Sequence, residues 1–110
     1  MSGRFVAYEV ALEMVSALRP SVEALGQRDK DLADQVRRAG SSVVLNLAEG
    51  ARRRGKDRMR FYRIAAGSAA EVKAALEVAR AWQYLGTLAE VDGLLDRVLA
   101  MLWRLTHGPG

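Results

Sequence analysis

Apolar residues recur at steps of three and four along most of this 110-residue chain, and this spacing constrains the fold more than any other feature. In the first segment it places Val6, Val10, Met14 and Leu18 on one side of a helix. Aromatic residues are scarce and only two prolines occur, as in packed helices. The sequence therefore predicts an all-α fold in a single domain.

The spacing predicts four helices, over residues about 5–26, 30–52, 56–85 and 88–106, and we expect the tail, 107–110, to be flexible. Pro20 lies inside the first helix and predicts a kink or a division there. Asp29 or Asp31 is suited to cap the second helix. Gly86 marks the end of the third helix, and residues 87–90 have the pattern of a capping box for the fourth.

The composition excludes several classes of protein. Cysteine is absent, so disulfides, thiol nucleophiles and thiolate metal sites are impossible, and a reducing compartment is indicated. The apolar stretch 5–18 is interrupted by Glu9 and Glu13, which is untypical of a signal peptide or a membrane span. We therefore expect a soluble, cytoplasmic protein without a membrane partner.

The fourth helix is apolar over more than one side. At 100° per residue its large apolar residues fan across roughly 200°, about twice the arc that a helix lying on one core needs. They are Leu94, Leu95, Val98, Leu99, Met101, Leu102, Trp103 and Leu105. A homo-oligomer interface would cover the extra surface, and so would a long first helix wrapped over the fourth. We favour the homo-oligomer.

The stretch "NLAEGARRRGKDRMRF", residues 46–61, is the most basic part of the chain. Between Arg37 and Arg63 nine Lys and Arg residues face two acids, whereas the remainder carries eight basic and eleven acidic residues. Such a patch on a mildly acidic body suggests an anionic partner, and a solvated helical corner is the alternative. The residues predicted to contact nucleic-acid phosphates are Arg52, Arg53, Arg54, Lys56 and Arg58.

The same stretch has the spacing of a phosphate-binding loop, with two glycines five residues apart followed by Lys56. Such a loop requires a preceding parallel strand, but the residues before Gly50 continue the helical spacing and no second strand is available. Asp57 also stands where a metal-binding hydroxyl is needed. We therefore reject nucleotide binding.

Polar residues form a second stripe along the predicted helical hairpin. If the turn centres near residues 54–55, antiparallel helices bring together positions whose numbers sum to about 109. The expected pairs are Arg38 with Glu71, Ser42 with Ser68, Asn46 with Arg63, and Glu49 with Arg60. We interpret this polar seam as fixing the register of the helices, as a buried Asn does in coiled coils. The alternative, an acid pair of Glu49 and Glu71, would place the two carboxylates too far apart.

No catalytic site, metal site or cofactor is predicted. His107 is the only histidine and falls in the expected tail, and no helix carries a metal-binding pattern of two His or Glu-x-x-His. The sequence therefore indicates a protein that is not an enzyme.

Residues 29–76 resemble the four-helix proteins encoded in intervening sequences of bacterial 23S rRNA genes. The resemblance rests on Leu32, Gln35, Arg37-Arg38-Ala39, Ser42, Asn46-Leu47-Ala48-Glu49-Gly50, Phe61, Ala65, Ser68 and Glu71. Gly40 departs from the family pattern, in which a bulkier small residue is usual, and the run 52–56 is more basic than the pattern requires.

The resemblance implies an up-down-up-down four-helix bundle that assembles as a ring, commonly a homopentamer. The chain is also similar to the accessory protein of diversity-generating retroelements, a basic pentamer that binds nucleic acid and a reverse transcriptase. We therefore expect a nucleic-acid-binding scaffold that grips RNA or DNA backbones at the turn between the second and third helices. The alternative is an assembly adaptor that docks its basic turn on an acidic protein surface, and the two would differ in salt dependence.

Overall fold

The computed structural model describes residues 5–108, which form four helices joined by short connections. They are α1 (Val6–Gly26), α2 (Lys30–Ala51), α3 (Gly55–Ala81) and α4 (Ala89–His107). Each helix packs on the next and α4 packs back on α1, so the four enclose one core. The all-α prediction is confirmed, and no strand occurs within residues 5–108.

The core is aliphatic and runs the length of the bundle. Its largest fully buried side chains are Met14, Leu25, Val36, Val43, Leu47, Val72, Leu76, Val98 and Leu102. Alanines on α2 and α3, such as Ala39, Ala65 and Ala69, are buried between them, which lets these two helices approach closely. No helix in the described range is long and apolar enough to cross a bilayer.

Pro20 does not divide the first helix, because α1 continues from Val6 to Gly26. A proline inside a helix removes one backbone hydrogen bond, but buried residues continue on both sides of this one. Leu18, Ser21 and Leu25 all face the core while Pro20 is exposed, so packing holds both halves of α1 in one helix.

Asp29 caps α2, as one of the two predicted candidates: its Oδ1 accepts a hydrogen bond from the Leu32 amide at 3.0 Å. The predicted end of α3 near Leu85 is wrong, since the helix ends at Ala81. Gln83 adopts a φ of 61°, and the Tyr84 amide bonds the carbonyl of Ala79 at 2.8 Å. This is a left-handed helix cap of the type that glycine usually forms.

The start of α4 also differs from prediction. Its N-cap is Leu88, with no side-chain cap bond, so the Thr87 capping box does not form. Instead Arg80 of α3 fixes this corner, donating to the carbonyl of Gly86 at 3.3 Å and to both carboxylate oxygens of Asp92 at 2.8 and 2.9 Å. His107 belongs to the last turn of α4 rather than to a tail, and residues 109–110 of the expected flexible tail lie outside the described range.

Candidate nucleic-acid interface: the α2–α3 turn

A small polar network holds the middle of the α2–α3 hairpin. The hydroxyls of Ser42 and Ser68 lie 2.8 Å apart, the proximity that the antiparallel register predicts. Asn46 does not reach Arg63. Its Nδ2 donates to the carbonyl oxygen of Ser42 at 2.8 Å and to the Ser42 Oγ at 3.0 Å, because it lies one helical turn further along α2. The Asn46 amide therefore supports the Ser42 side of the Ser42–Ser68 contact.

Gly50 lets the two helices meet near the turn. A Cβ added at this position would lie 2.6 Å from Tyr62 Cε1 and 3.3 Å from the backbone oxygen of Arg58. The ring of Tyr62 therefore packs directly on the glycine, and Phe5 covers it from α1 with ring centroids 5.9 Å apart. Burial raises the pKa of the Tyr62 phenol, and the nearby Arg58 partly opposes that shift.

Arg58 closes the end of α2. Its Nε donates to the carbonyl of Gly50 and its Nη2 to that of Ala51, each at 3.1 Å. The last carbonyls of a helix have no partner within it, and a cation there also complements the helix dipole. Arg58 is one of the predicted phosphate contacts and stays a prediction, and in the structure its guanidinium is engaged by backbone oxygens of α2.

Glu49 forms ion pairs with two further arginines of the turn. Its Oε1 accepts from Arg52 at 3.0 Å and its Oε2 from Arg53 at 2.8 Å. The pKa of the Glu49 carboxyl is lowered, mainly because it accepts a hydrogen bond from Arg53. The positive charge of Arg52 lowers it further. The predicted pair of Glu49 with Arg60 is wrong. Its carboxylate binds Arg52 and Arg53 instead, which follow it by three and four residues in the sequence.

Asp57 and Phe61 hold the outer arginines. Asp57 accepts from Arg53 at 3.1 Å and from Arg60 at 3.4 Å. The guanidinium carbons of Arg53 and Arg60 also lie 5.2 and 4.5 Å from the centroid of the Phe61 ring, within range of cation–π attraction. Arg53 therefore has three neighbours at the turn, Glu49, Asp57 and the Phe61 ring.

The remaining predicted pair, Arg38 with Glu71, forms no ion pair within the described range, and both side chains are exposed. Water solvates them at the outer edge of the seam, where a surface ion pair gains little. The seam residues thus divide into a bonded centre of Ser42, Asn46 and Ser68, a Glu49 that binds arginines of the turn, and two exposed residues, Arg38 and Glu71, at the end away from the turn.

Two cations remain available at the turn. Arg54 and Lys56 are exposed, and within residues 5–108 neither side chain forms a hydrogen bond or an ion pair. They flank Gly55, whose φ of +56° is the left-handed conformation that starts α3 without the strain another residue would suffer. The positive end of the α3 dipole adds to their charge.

The turn projects beyond the rest of the bundle. The Arg80–Asp92 bond sets Asp92 level with Arg80, so His107, fifteen residues later, lies level with Ala65. The ten residues of α3 before Ala65 extend past it by about 15 Å. At the start of α1, Phe5 packs on the ring of Tyr62, and among residues 5–108 the side chains of Arg54 and Lys56 at the tip are exposed.

The described residues form no cluster suited to a metal ion. No group of three or more His, Asp or Glu side chains within residues 5–108 could hold a metal ion. A groove of 780 Å³ lies between α1 and α2 and has a floor of residues such as Leu18, Val36 and Gly40. It is far from the turn, and its rim arginines, Arg19 and Arg37, pair with Glu23 and Asp34.

Comparison with known proteins agrees with this architecture. A family model described as "23S rRNA-intervening sequence protein" matches residues 5–104. Among solved structures, a protein of unknown function from the S23 ribosomal protein family of Bacteroides thetaiotaomicron VPI-5482 superposes with a TM-score of 0.83 at 17% identity. The alignment covers 92% of this chain and 98% of that one. A search of curated proteins returns no significant match.

Proposed function

The chain belongs to the 23S rRNA-intervening sequence protein family, and we propose that it binds the phosphate backbone of nucleic acid through the α2–α3 turn without acting as an enzyme. The observation that carries the proposal is a pair of exposed cations at the tip of the hairpin, Arg54 and Lys56, which have no side-chain partner within residues 5–108. Phosphate contacts of this kind position nucleic acid without reading its sequence.

The geometry of the turn supports a ready-made site. Arg58 and Glu49 hold the backbone and the inner arginines, so Arg54 and Lys56 are presented from a fixed base rather than from a mobile loop. Arg52 is the third contributor, since its side chain is 76% exposed despite its bond to Glu49. Exposed ion pairs are weak, and a phosphate can therefore replace the carboxylate.

One copy of the turn offers few contacts, and sequence-independent binding at that level has dissociation constants of about 1 to 100 µM at physiological salt. We propose that copies of the chain associate, as a homopentamer or a smaller ring, so that several turns engage one polyanion and raise the effective concentration. Leu45 and Ile64 of the α2–α3 hairpin, which are 66% and 42% exposed, are apolar side chains that such an association could bury. Light scattering gives the subunit number.

The decisive experiment is a salt titration of labelled duplex DNA and structured RNA by fluorescence anisotropy. Each phosphate contact contributes about 0.9 to the slope of log K against log salt on duplex DNA. The double variant Arg54→Gln, Lys56→Gln should therefore weaken binding. It should also reduce the magnitude of that slope by the contribution of about two phosphate contacts.

The matched control is Lys30→Gln with Arg97→Gln. It removes the same charge from exposed positions on the first turn of α2, at the opposite end, and on the middle of α4. Equal losses in both double variants would mean that only net charge matters and would refute a site at the turn. If the unaltered protein ignores polyanions even at low salt but an acidic protein binds the turn, the adaptor function replaces this proposal.

A further inference from the structure

Trp103 is held in an exposed aromatic stack near the end of α4. Its side chain is 61% exposed, although the ring of His107 lies parallel to it, with centroids 4.6 Å apart and planes 9° apart. The His107 ring is itself fixed, because its Nδ1 donates to the carbonyl oxygen of Trp103 at 3.1 Å and lies 3.0 Å from the Thr106 hydroxyl. The indole is therefore oriented while most of it remains in water.

The bundle register places this stack on the basic half of the molecule. Trp103 follows Asp92 by eleven residues, about 20° from three full turns, so both residues point to the α3 side of α4. Since Asp92 lies level with Arg80, Trp103 lies level with Ala69 and His107 with Ala65. The exposed Arg63 of α3 is then within one helical turn of His107 along the axis, and Lys56 is about two turns further.

The local charge is positive. Residues 49–65 and 101–108 of α2, α3 and α4 contain eight arginines and lysines against two acids, Glu49 and Asp57, and the start of α1 adds Glu9 and Glu13 to this half. The stack thus lies beside the surface that leads from Arg63 to the cations of the turn. Aromatic side chains along a cationic path are the arrangement by which proteins hold single strands, because every base offers a face to stack on.

We propose that the Trp103–His107 stack is a base-stacking platform for an unpaired nucleotide of a single strand whose phosphates continue to the α2–α3 turn. This inference rests on the proposed backbone contact and names its ligand class as single-stranded nucleic acid or an unpaired loop. A duplex keeps its bases stacked on one another, so it reaches the turn but does not use the platform.

A matched control exists at the opposite end of the bundle. Trp82 is 66% exposed and stacks on Tyr84, with centroids 6.3 Å and planes 19° apart. Its surroundings differ, because Arg28 covers the Tyr84 ring at 5.3 Å and the acids Asp29 and Asp31 lie in the adjoining corner. The same residue type in a similar stack is therefore present without the cationic path.

The first arm of the experiment uses tryptophan fluorescence. Trp82→Phe leaves Trp103 as the sole tryptophan, and Trp103→Phe leaves Trp82. Titration with an oligothymidylate should quench and shift the emission of Trp103 and leave that of Trp82 unchanged. Unchanged emission from Trp103 under conditions where anisotropy shows the oligonucleotide bound, or equal quenching of both tryptophans, would overturn the platform.

The second arm measures affinity. Trp103→Ala should weaken oligothymidylate binding about five- to 150-fold, the loss expected for one stacked base, and leave duplex affinity within twofold. Trp82→Ala should change neither. If Arg54→Gln, Lys56→Gln weakens duplex binding while Trp103→Ala has no effect on either nucleic acid, the platform alone is refuted. If no polynucleotide binds any form of the protein, the backbone site and the platform fall together.

Discussion

Gly50→Ala should destabilise the protein even though alanine is the better helix former. The added Cβ would lie 2.6 and 2.7 Å from two ring carbons of Tyr62 and 3.3 Å from the backbone oxygen of Arg58. Tyr62 is buried and packs on Phe5, and a backbone atom cannot yield, so the overpacking cost lies near the upper end of about 1–3 kcal/mol. Alanine's propensity returns about 1 kcal/mol, which leaves a net loss of about 2 kcal/mol.

Gly40→Ala is the internal comparison, since it makes the same change in the same helix. There the new Cβ would meet Leu18 Cδ1 at 3.5 Å and Val15 Cγ2 at 3.8 Å, which are ordinary contacts. This variant should gain about 1 kcal/mol from helix propensity alone. The two alanine variants should therefore differ by about 3 kcal/mol in free energy of unfolding.

Urea unfolding followed by far-UV circular dichroism, at one fixed protein concentration, measures the difference as a change in midpoint at constant slope. A double-mutant cycle assigns the cause: with Tyr62→Ala present, Gly50→Ala should become neutral or stabilising. The reasoning is refuted if Gly50→Ala raises stability as Gly40→Ala does, or if its cost survives unchanged without the Tyr62 ring.

Three further changes test the turn and the caps. Gln83→Gly should stabilise the protein by about 1 kcal/mol, because Gln83 occupies a left-handed conformation, whereas Gln83→Ala should not; thermal unfolding distinguishes them. Arg58→Ala should destabilise by about 1 kcal/mol in urea through loss of its two bonds to α2 carbonyls, and Arg58→Lys should not restore a two-pronged contact. The folded-state pKa of Glu49 is depressed, so its contribution is present above the ordinary glutamate pKa of about 4.3 and is lost as pH falls below it. Glu49→Gln should therefore be less sensitive than the unaltered protein to acid over that range in pH-dependent melting, and an identical acid profile would contradict the assignment.

The helices themselves could be predicted from the sequence because their signals are local. Apolar spacing found all four, and a carboxylate just before an apolar stripe found the Asp29 cap. The approach of Ser42 to Ser68 could also be predicted, since a tight antiparallel hairpin has one free parameter, the centre of its turn. These features depend on helical geometry more than on the particular neighbours of each side chain.

The end of α3 and the partners at the turn could not be predicted in the same way. Glutamine gives no sequence signal of a left-handed cap. Sequence alone therefore favours the nearest glycine, Gly86, as the end of the helix. At the turn, Glu49 has several arginines within reach. Which of them binds its carboxylate depends on side-chain rotamers and on the residue at which α2 ends. The charge pattern located the basic surface. It could not separate Arg58, which bonds to two carbonyls of α2, from Arg54 and Lys56, whose side chains have no partner within residues 5–108.

In the α2–α3 hairpin, the residues of the family motif differ from the exposed residues at the tip. Gly50 and Ser68 hold the two helices together, and Asn46 and Glu49 bond to residues of α2 and the turn, whereas Arg54 and Lys56 lie outside that set of contacts. A relative can therefore keep the whole motif and exchange the few residues at its tip without disturbing the scaffold. Membership of the family therefore predicts the α2–α3 hairpin. What the tip could bind has to be argued from the tip residues of each chain.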